Sequence, residues 1–386
     1  MTAAIAFERD TVVVRDARDA DNEALVALAA ACPMAGDITM CVDRAPNFFA
    51  LSKLEGSQCK VGVAVAGAGP STSLGMTTAI IGCGMASERW SYVHGKETQT
   101  TYAGDLKVHP SYRGTPAADG LVAYIVDCCR QFGGDDVPSL LTVLAGNTSM
   151  QQRERGPRGL PALCPVASLD VFAIPFLWRR ESHVRGVQVC EAKHNDIEEM
   201  AALWARIGPT RQFTPVLTAQ AFGEWLENAP GLTIDDYLVA RSADGRIAGF
   251  MALWDQCEFK QLRVLGYSRR LAAARFAVNA FAPLAGVTTL PASGAQLRSL
   301  SAVHVCAPME DRVVLRALLL FGYSRYRATG RTFFTMAIDR QDPVRRALAG
   351  LFAQPTPVNA FVTTPAGRWT GGSLSERPLY FESALV

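Results

Sequence analysis

The 386-residue sequence lacks the features that mark several large classes of protein. No apolar run approaches the roughly 20 residues of a membrane-spanning helix. The N-terminus has no basic stretch followed by an apolar one, so we expect no secretory signal. The 38 basic and 36 acidic residues leave a net charge of +2, which gives no electrostatic reason to expect a nucleic-acid or membrane partner. We therefore expect a soluble, cytoplasmic protein.

The sequence also lacks any C-x-x-C pair, although it contains ten cysteines spread along its whole length. Zinc sites and redox centres need closer, repeated cysteine spacings. A reducing compartment keeps scattered cysteines as buried thiols. We therefore expect no metal site.

What the sequence does contain is a large apolar fraction, with 49% hydrophobic and 19% charged residues. This composition is typical of globular proteins with a sizeable core and argues against disorder. The length is enough for roughly two domains of ordinary size.

One order of elements occurs twice along the chain: strand, helix, helix, hairpin, strand, helix, strand, helix. The first copy begins at residues 12–15, and the pattern restarts near residue 185. We predict a tandem duplication with a boundary within residues 178–186, giving domains 1–180 and 181–386. Mixed strands, helices and hairpins predict an α/β (mixed α+β) fold.

The most informative stretch is residues 106–134, LKVHPSYRGTPAADGLVAYIVDCCRQFGG. It predicts a strand, a basic turn of small residues, and an amphipathic helix. A helix start leaves unpaired N–H groups and partial positive charge, which suit a bound phosphate. An ordinary cap is the alternative, with Thr115 as the N-cap and Pro116 as the first helical residue.

This stretch resembles the GCN5-related N-acetyltransferases, with two such domains in tandem. In that family a strand ends in Val-x-Pro, and x-Tyr-Arg-Gly-x-Gly-x-Gly/Ala opens the next helix. An Asn commonly follows the next strand. The matching residues are Val108, Pro110, Tyr112, Arg113, Gly114 and Asn147. The resemblance implies that each half is a twisted, mostly antiparallel mixed sheet flanked by helices.

The resemblance also implies that the first half binds acetyl-CoA or another acyl-CoA, with its pyrophosphate on the turn. The implied binding residues are Leu106, Lys107, Val108, Arg113, Gly114, Thr115, Ala117, Ala118, Asp119, Gly120 and Asn147. The sequence departs from the family pattern at Pro116, which has no N–H to offer a phosphate. Asp119 would repel a phosphate if its side chain pointed inward.

The corresponding turn of the second half, VHVCAPMEDRVVL, has no Arg-Gly. Glu310 and Asp311 place negative charge where a phosphate would sit. We predict that this half has lost cofactor binding. His304 and Cys306 are either a core pair or, as the weaker alternative, a reactive pair.

Acyl transfer to an amine needs a polarised thioester carbonyl and a group that takes a proton from the amine. The polarising amide would come from residues 106–108. Asp105 is the first candidate base, sharing a strand face with Lys107. Glu97 on the preceding segment and His109 in the turn are weaker candidates. The alternative for Asp105 and for His109 is an ordinary solvated side chain.

The departing thiolate is protonated in many relatives by a Tyr about seven residues after the Asn. That position is Glu154, so the usual acid is missing. Tyr102 or Tyr124 could take its place, the thiolate could leave unprotonated, or the domain does not catalyse.

The acceptor side of this family comes from the first two helices and the loop between them. Here that region offers Arg44, Asn47, Phe48 and Phe49. They form either a carboxylate anchor beside an aromatic wall or part of the core.

These observations predict an acyl-CoA-dependent N-acyltransferase that acts on a small amine or amino-acid-like metabolite by direct attack in a ternary complex. The alternative is a non-catalytic acyl-CoA sensor or interaction scaffold with the same fold. Transfer of a long-chain or aromatic acyl group remains open. The expected partner is a small-molecule amine, with neither nucleic acid nor membrane.

Overall fold

The structure, a computed structural model, describes residues 12–34, 36, 38–67, 79–147, 150, 161–285 and 289–385. The elements of the first half are β1 (Val12–Asp16), α1 (Asn22–Ala30), β2 (Ile38–Asp43), a 3-10 helix (Phe48–Leu54), β3 (Gln58–Ala66), β4 (Ala79–Val93), β5 (Lys96–Val108), a 3-10 helix (Pro110–Tyr112), α2 (Ala117–Gly133), β6 (Ser139–Leu144) and β7 (Cys164–Pro175).

The elements of the second half are β8 (Gln188–Glu191), α3 (Ile197–Ile207), β9 (Thr214–Pro215), α4 (Ala219–Asn228), β10 (Tyr237–Arg241), β11 (Ile247–Trp254), β12 (Gln261–Tyr267), α5 (Arg269–Ala285), β13 (Ser299–Cys306), α6 (Arg312–Tyr326), β14 (Phe333–Asp339), a 3-10 helix (Pro343–Leu348) and β15 (Gln354–Thr363). None of the helices in the described ranges is both long and apolar enough to cross a membrane.

Thirteen of the described strands form one sheet in the order β1-β3-β4-β5-β6-β15-β7-β14-β13-β11-β10-β8, with β9 paired to β4. The ladders β5–β6 and β13–β14 are parallel, and the ladders of the other neighbours are antiparallel. The structure confirms the predicted mixed α/β class with flanking helices and a mostly antiparallel sheet.

The last strands of the two halves are exchanged. β7 ends the first half but pairs with β14 of the second, whereas β15 ends the second half and pairs with β6 of the first. β7 and β15 pair with each other at the centre. The two halves of the sequence therefore interlock in one sheet, and the predicted boundary falls in the connection between β7 and β8.

Successive side chains of β3 point to opposite faces of the sheet, and a different helix covers each face. Val63 and Val65 pack into a cluster with α1, whereas Ala64 and Ala66 pack into a cluster with α2. On the α2 side, a Cβ at Gly62 would lie 2.4 Å from the ring of Tyr124. Glycine thus allows α2 to lie close against the sheet.

A bulge occurs at the same place in both halves. The β4–β5 register shifts opposite Asp105, whose φ is +52°, and the β11–β13 register shifts opposite His304, whose φ is +49°. Such left-handed residues bend the strand and disturb its ladder. β5 and β6 are paired only as far as Ala103 and Leu141, and we call the gap beyond them the first cleft.

The equivalent gap in the second half, the second cleft, lies between β13 and β14 beyond Ser301 and Thr335. The second half also carries an insertion of β12 and α5 between β11 and β13. β12 pairs with β2 of the first half in a separate two-stranded sheet.

Candidate active site

The turn that follows β5 leaves backbone amides available at the start of α2. The Thr115 hydroxyl donates to the Tyr112 carbonyl at 2.7 Å and accepts only a long 3.4 Å bond from the Ala117 amide. The helix begins at Ala117 rather than at the predicted Pro116, and no side chain caps it. Within the described ranges, the amides of Gly114 and Ala118 have no acceptor. This start is therefore not the ordinary Thr cap that the sequence allowed.

The equivalent helix start in the second half carries its own anion. The Asp311 carboxylate accepts from the amides of Val313 at 2.9 Å and Val314 at 3.4 Å. These are the amides that a phosphate would need. The contrast with α2 favours the prediction that only the first half holds a phosphate.

Asp311→Ala should lower the free energy of unfolding by about 1 kcal/mol, because the loss of an N-cap carboxylate leaves helix amides unsatisfied. Urea denaturation followed by circular dichroism would measure it. Glu310→Ala removes a neighbouring charge without removing a cap, and an equal loss in that variant would show that the cap is not the cause.

The first cleft exposes strand amides on its β5 side. The His109 amide donates to the Ile81 carbonyl of β4 at 2.8 Å. Because successive residues of a strand point their N–H groups to opposite sides, the amides of Leu106 and Val108 face away from β4, into the cleft. These are the amides that the sequence predicted to polarise a thioester.

The second cleft is filled by the 379–385 segment of the chain. The Glu382 carboxylate accepts from the His304 amide at 2.9 Å and from the Tyr380 hydroxyl at 2.7 Å. A cavity of only ≈ 30 Å³ remains beside Tyr380 and Phe381. This volume is too small for the arm of a bound cofactor.

Asp105 lies in a buried ion-pair cluster on the α1 face. Its carboxylate is 3.0 Å from Nη2 of Arg44 and also pairs with the Lys107 ammonium. Burial alone would raise the pKa of Asp105, but the charges of Arg44 and Lys107 outweigh it and hold that pKa well below its usual range. Asp105 is therefore a stable carboxylate and a weak base.

Two further charged groups adjoin this cluster, and no sequence motif indicated either of them. Burial and the charge of Arg44 lower the pKa of Lys260 to about 7. Burial raises the pKa of Glu382 to about 7, although hydrogen bonds from Tyr380 and His304 and the charges of Arg89 and Lys260 oppose the rise. We call Arg44, Asp105, Lys107, Lys260 and Glu382 the charged cluster. It joins residues from both halves.

No protein-family model and no curated protein sequence matches the chain, but many solved structures do. Saccharomyces cerevisiae N-myristoyltransferase with bound myristoyl-CoA is 12% identical with a TM-score of 0.62, over 96% of this chain and 85% of that one. A GCN5-related N-acetyltransferase from Sphaerobacter thermophilus is 16% identical with a TM-score of 0.56, over 95% and 98%. The chain has the fold of the GCN5-related N-acetyltransferases.

A third solved structure contains a GCN5-related glucosamine N-acetyltransferase region in a fungal multi-domain GH3 β-N-acetylglucosaminidase. It is 14% identical with a TM-score of 0.58, and the alignment covers 92% of this chain but 38% of that protein's length. These matches confirm the resemblance seen in the sequence at the level of the GCN5-related fold.

Within this GCN5-related fold, Tyr102 is buried away from solvent. Its hydroxyl is 3.1 Å from Oγ1 of Thr142 on β6, and the Arg89 guanidinium lies 4.5 Å from its ring centroid. Burial raises the pKa of Tyr102, which makes it a weaker acid. Tyr124 donates to Asp16 at 2.6 Å. Neither tyrosine is placed as a ready proton donor.

Two of the remaining predicted residues have local hydrogen-bond partners. His109 accepts from the Ser111 amide through Nδ1 at 3.3 Å, and Asn147 accepts from the Met150 amide at 3.4 Å. Arg113 is exposed at the surface of the turn. Glu154 lies outside the described residues.

Of the predicted acceptor residues, only Arg44 joins the charged cluster. Asn47 accepts from the Phe49 amide at 3.0 Å and caps the 3-10 helix. Phe48 is buried in the α1 cluster, with Phe49 packed edge-on at 5.7 Å. The geometry favours the core alternative for the two aromatic rings.

His304 and Cys306 are core groups. The His304 ring bonds to the Tyr237 hydroxyl at 2.7 Å, and burial lowers its pKa to about 3. Burial raises the pKa of Cys306 to about 12. A neutral histidine beside a protonated thiol cannot act as a reactive pair.

The described residues hold no group of three or more His, Cys, Asp or Glu side chains that could bind a metal. A groove of ≈ 360 Å³ is lined by residues of β7, β15 and the end of β14, and it includes none of the predicted site residues. The groove therefore does not coincide with the charged cluster or with the turn before α2.

Proposed function

We propose that the protein is an acyl-CoA-dependent N-acyltransferase that binds one acyl-CoA in its first half. The observation that carries this proposal is the contrast between two equivalent sites. The first has amides at Gly114 and Ala118 with no acceptor among the described residues, and strand amides on the side of β5 that is not paired beyond Ala103. In the second, the Asp311 carboxylate accepts from the amides at the helix start, and Glu382, which accepts from the His304 amide, lies in the cleft. The myristoyl-CoA bound in the yeast structure of the same fold is consistent with this assignment.

The thioester would lie along β5 with its carbonyl oxygen at the amide of Leu106 or Val108. A strand amide fixed in that direction stabilises the oxyanion that forms when the amine attacks. The new C–N bond forms, the C–S bond breaks, and CoA leaves as a thiolate. One proton must leave the amine during these steps.

Glu382 is the side chain best suited to receive that proton. A general base works best when its pKa is near the working pH, and the pKa of Glu382 is about 7. Asp105, the first candidate in the sequence, is held by two cations and has little affinity for a proton. Phe381, next to Glu382, packs 6.4 Å from the ring of Tyr102 on β5, so this segment reaches the first half.

The acceptor is proposed to be an amine that also carries a carboxylate. The Arg44 side chain is 5% exposed, and its Nε has no partner among the described residues. The Lys107 side chain is 23% exposed at the same place. An amino-acid-like metabolite would place its carboxylate against these cations and its amine near Glu382.

Release of free CoA, followed with a thiol reagent, tests this function. Purified protein would be mixed with acetyl-CoA or a long-chain acyl-CoA and a panel of amino acids, amino sugars and polyamines. The proposal expects amine-dependent thiol release, largest with amines that carry a carboxylate. Acyl-CoA binding without turnover in any mixture would favour the non-catalytic sensor. The presence of Glu154 in place of the usual Tyr also supports that alternative.

A further inference from the structure

The insertion helix α5 presents an apolar face to solvent. Phe276 is 83% exposed and Phe281 is 67% exposed. The exposed positions recur with helical spacing, and they are Arg269, Arg270, Ala272, Ala273, Phe276, Ala277, Ala280 and Phe281. Phe276 is the most exposed of the large hydrophobic side chains described. A water-facing helix face of this kind requires an explanation.

The charge around α5 is strongly one-sided. Between Glu258 and Glu310 the sequence contains no acidic residue, although the whole chain has 36. The same stretch carries six basic residues, which are Lys260, Arg263, Arg269, Arg270, Arg275 and Arg298. Lys260 belongs to the charged cluster and Arg263 pairs with Asp43, whereas Arg269 and Arg270 are exposed on α5. The expectation of no membrane partner depended on the near-neutral net charge of the whole chain. That net charge does not show the local excess of basic residues.

A second copy of the chain is a poor occupant for this face. A helix of 17 residues is about 25 Å long, and one face of it offers far less than the about 800 Å² per partner of a stable dimer. An acidic bilayer suits both features. Aromatic side chains enter the boundary between headgroups and acyl chains, while arginines bind the lipid phosphates.

We propose that α5 docks the protein on an acidic membrane surface, with Phe276 and Phe281 inserted and Arg269 and Arg270 on the phosphates. The helix lies in the interface and does not span the bilayer. α5 follows β12, which pairs with β2 beside the acceptor region, and Arg263 of β12 bonds to Asp43 at 2.6 Å. Docking therefore brings the acceptor side of the site to the membrane. The proposal does not depend on the acyltransferase function.

Sedimentation with lipid vesicles tests it with the full chain. We expect the protein to pellet with phosphatidylcholine–phosphatidylglycerol vesicles, to pellet much less with phosphatidylcholine alone, and to be released by salt. The double change Phe276→Ser and Phe281→Ser should weaken binding by about tenfold per Phe or more. Arg269→Glu with Arg270→Glu should abolish the preference for acidic lipid.

Phe352→Ser is the matched control, because Phe352 is 56% exposed but lies outside α5. It should bind vesicles like the unchanged protein. Failure to bind acidic vesicles at low salt, or equal binding by the Phe276/Phe281 variant, would overturn the proposal. A concentration-dependent dimer that the same variant abolishes would instead make this face an interface between copies. Binding to polyglutamate but not to vesicles would indicate an acidic protein partner.

Discussion

Asp105→Asn should lower the free energy of unfolding by about 3–5 kcal/mol at neutral pH. The change leaves Arg44 and Lys107 without their anion in a buried place, and an uncompensated buried charge costs that much. Asn tolerates a left-handed backbone, so the φ of +52° is not the source of the loss. Urea denaturation followed by fluorescence would measure the difference.

The difference should depend on pH in one direction. Because the pKa of Asp105 is lower in the folded protein, its contribution is complete above the usual carboxyl pKa of about 4. The contribution is lost as the pH falls through the folded pKa, so the two proteins should converge in acid. Asp244→Asn, at an exposed pair with Arg246, is the control and should leave the midpoint unchanged. If the difference in unfolding free energy between the unchanged protein and Asp105→Asn stays constant below about pH 4, the ion pair is not its cause.

Glu382→Gln should reduce turnover by about 10²- to 10⁴-fold, the usual loss of a general base. In the unchanged protein the rate should fall as the pH drops below about 7, because protonation removes the base. That decline should be missing from the residual activity of the variant. The pH dependence of kcat, measured with the amine found in the screen, tests both points.

Substitutions of two residues that interact with Glu382 make this test more specific. Hydrogen bonding from Tyr380 and the charge of Lys260 both lower the pKa of Glu382. Tyr380→Phe and Lys260→Met should therefore move the decline to higher pH. Tyr237, His304 and Arg89 also face Glu382 and stay unchanged in these variants. If the decline survives in Glu382→Gln and disappears in Lys260→Met, Lys260 is the titrating group and the assignment of Glu382 is wrong.

The sequence was informative where local chemistry decides the structure. The turn at 108–114 requires Gly114, whose φ is +83°, so its residue pattern is readable without tertiary information. The doubled order of elements was readable for the same reason. Element order, however, does not say which sheet the last strand of each half joins. The exchange of β7 and β15 could therefore not be predicted from the sequence.

The chemistry of the charged cluster was only partly predictable. Asp105 and Arg44 were found because both lie in segments that the resemblance marks. Lys260 belongs to an insertion, and Glu382 belongs to a segment far along the chain, so no spacing connects them to Asp105. Their perturbed pKa values arise mainly from burial, which is a property of the folded chain alone.

We propose the turn before α2 as a pyrophosphate site, whereas its counterpart before α6 is not one. Gly114→Asp and Gly134→Asp form a matched pair for testing it. Both glycines have a φ near +82°, and a Cβ on either would meet no atom within 4 Å. Both variants therefore place a side chain at a positive φ without a clash, but they put a carboxylate at opposite ends of one helix.

Calorimetric titration with acetyl-CoA and CoA, on the unchanged protein and on these two variants, is the most direct measurement. One molecule of acetyl-CoA or CoA should bind per chain. The affinity should be about 100-fold or more lower in Gly114→Asp, since a carboxylate a few ångströms from a phosphate repels it by several kcal/mol. Gly134→Asp should bind like the unchanged protein. Absence of binding to the unchanged chain, two sites per chain, or equal affinities of the two variants would contradict the account.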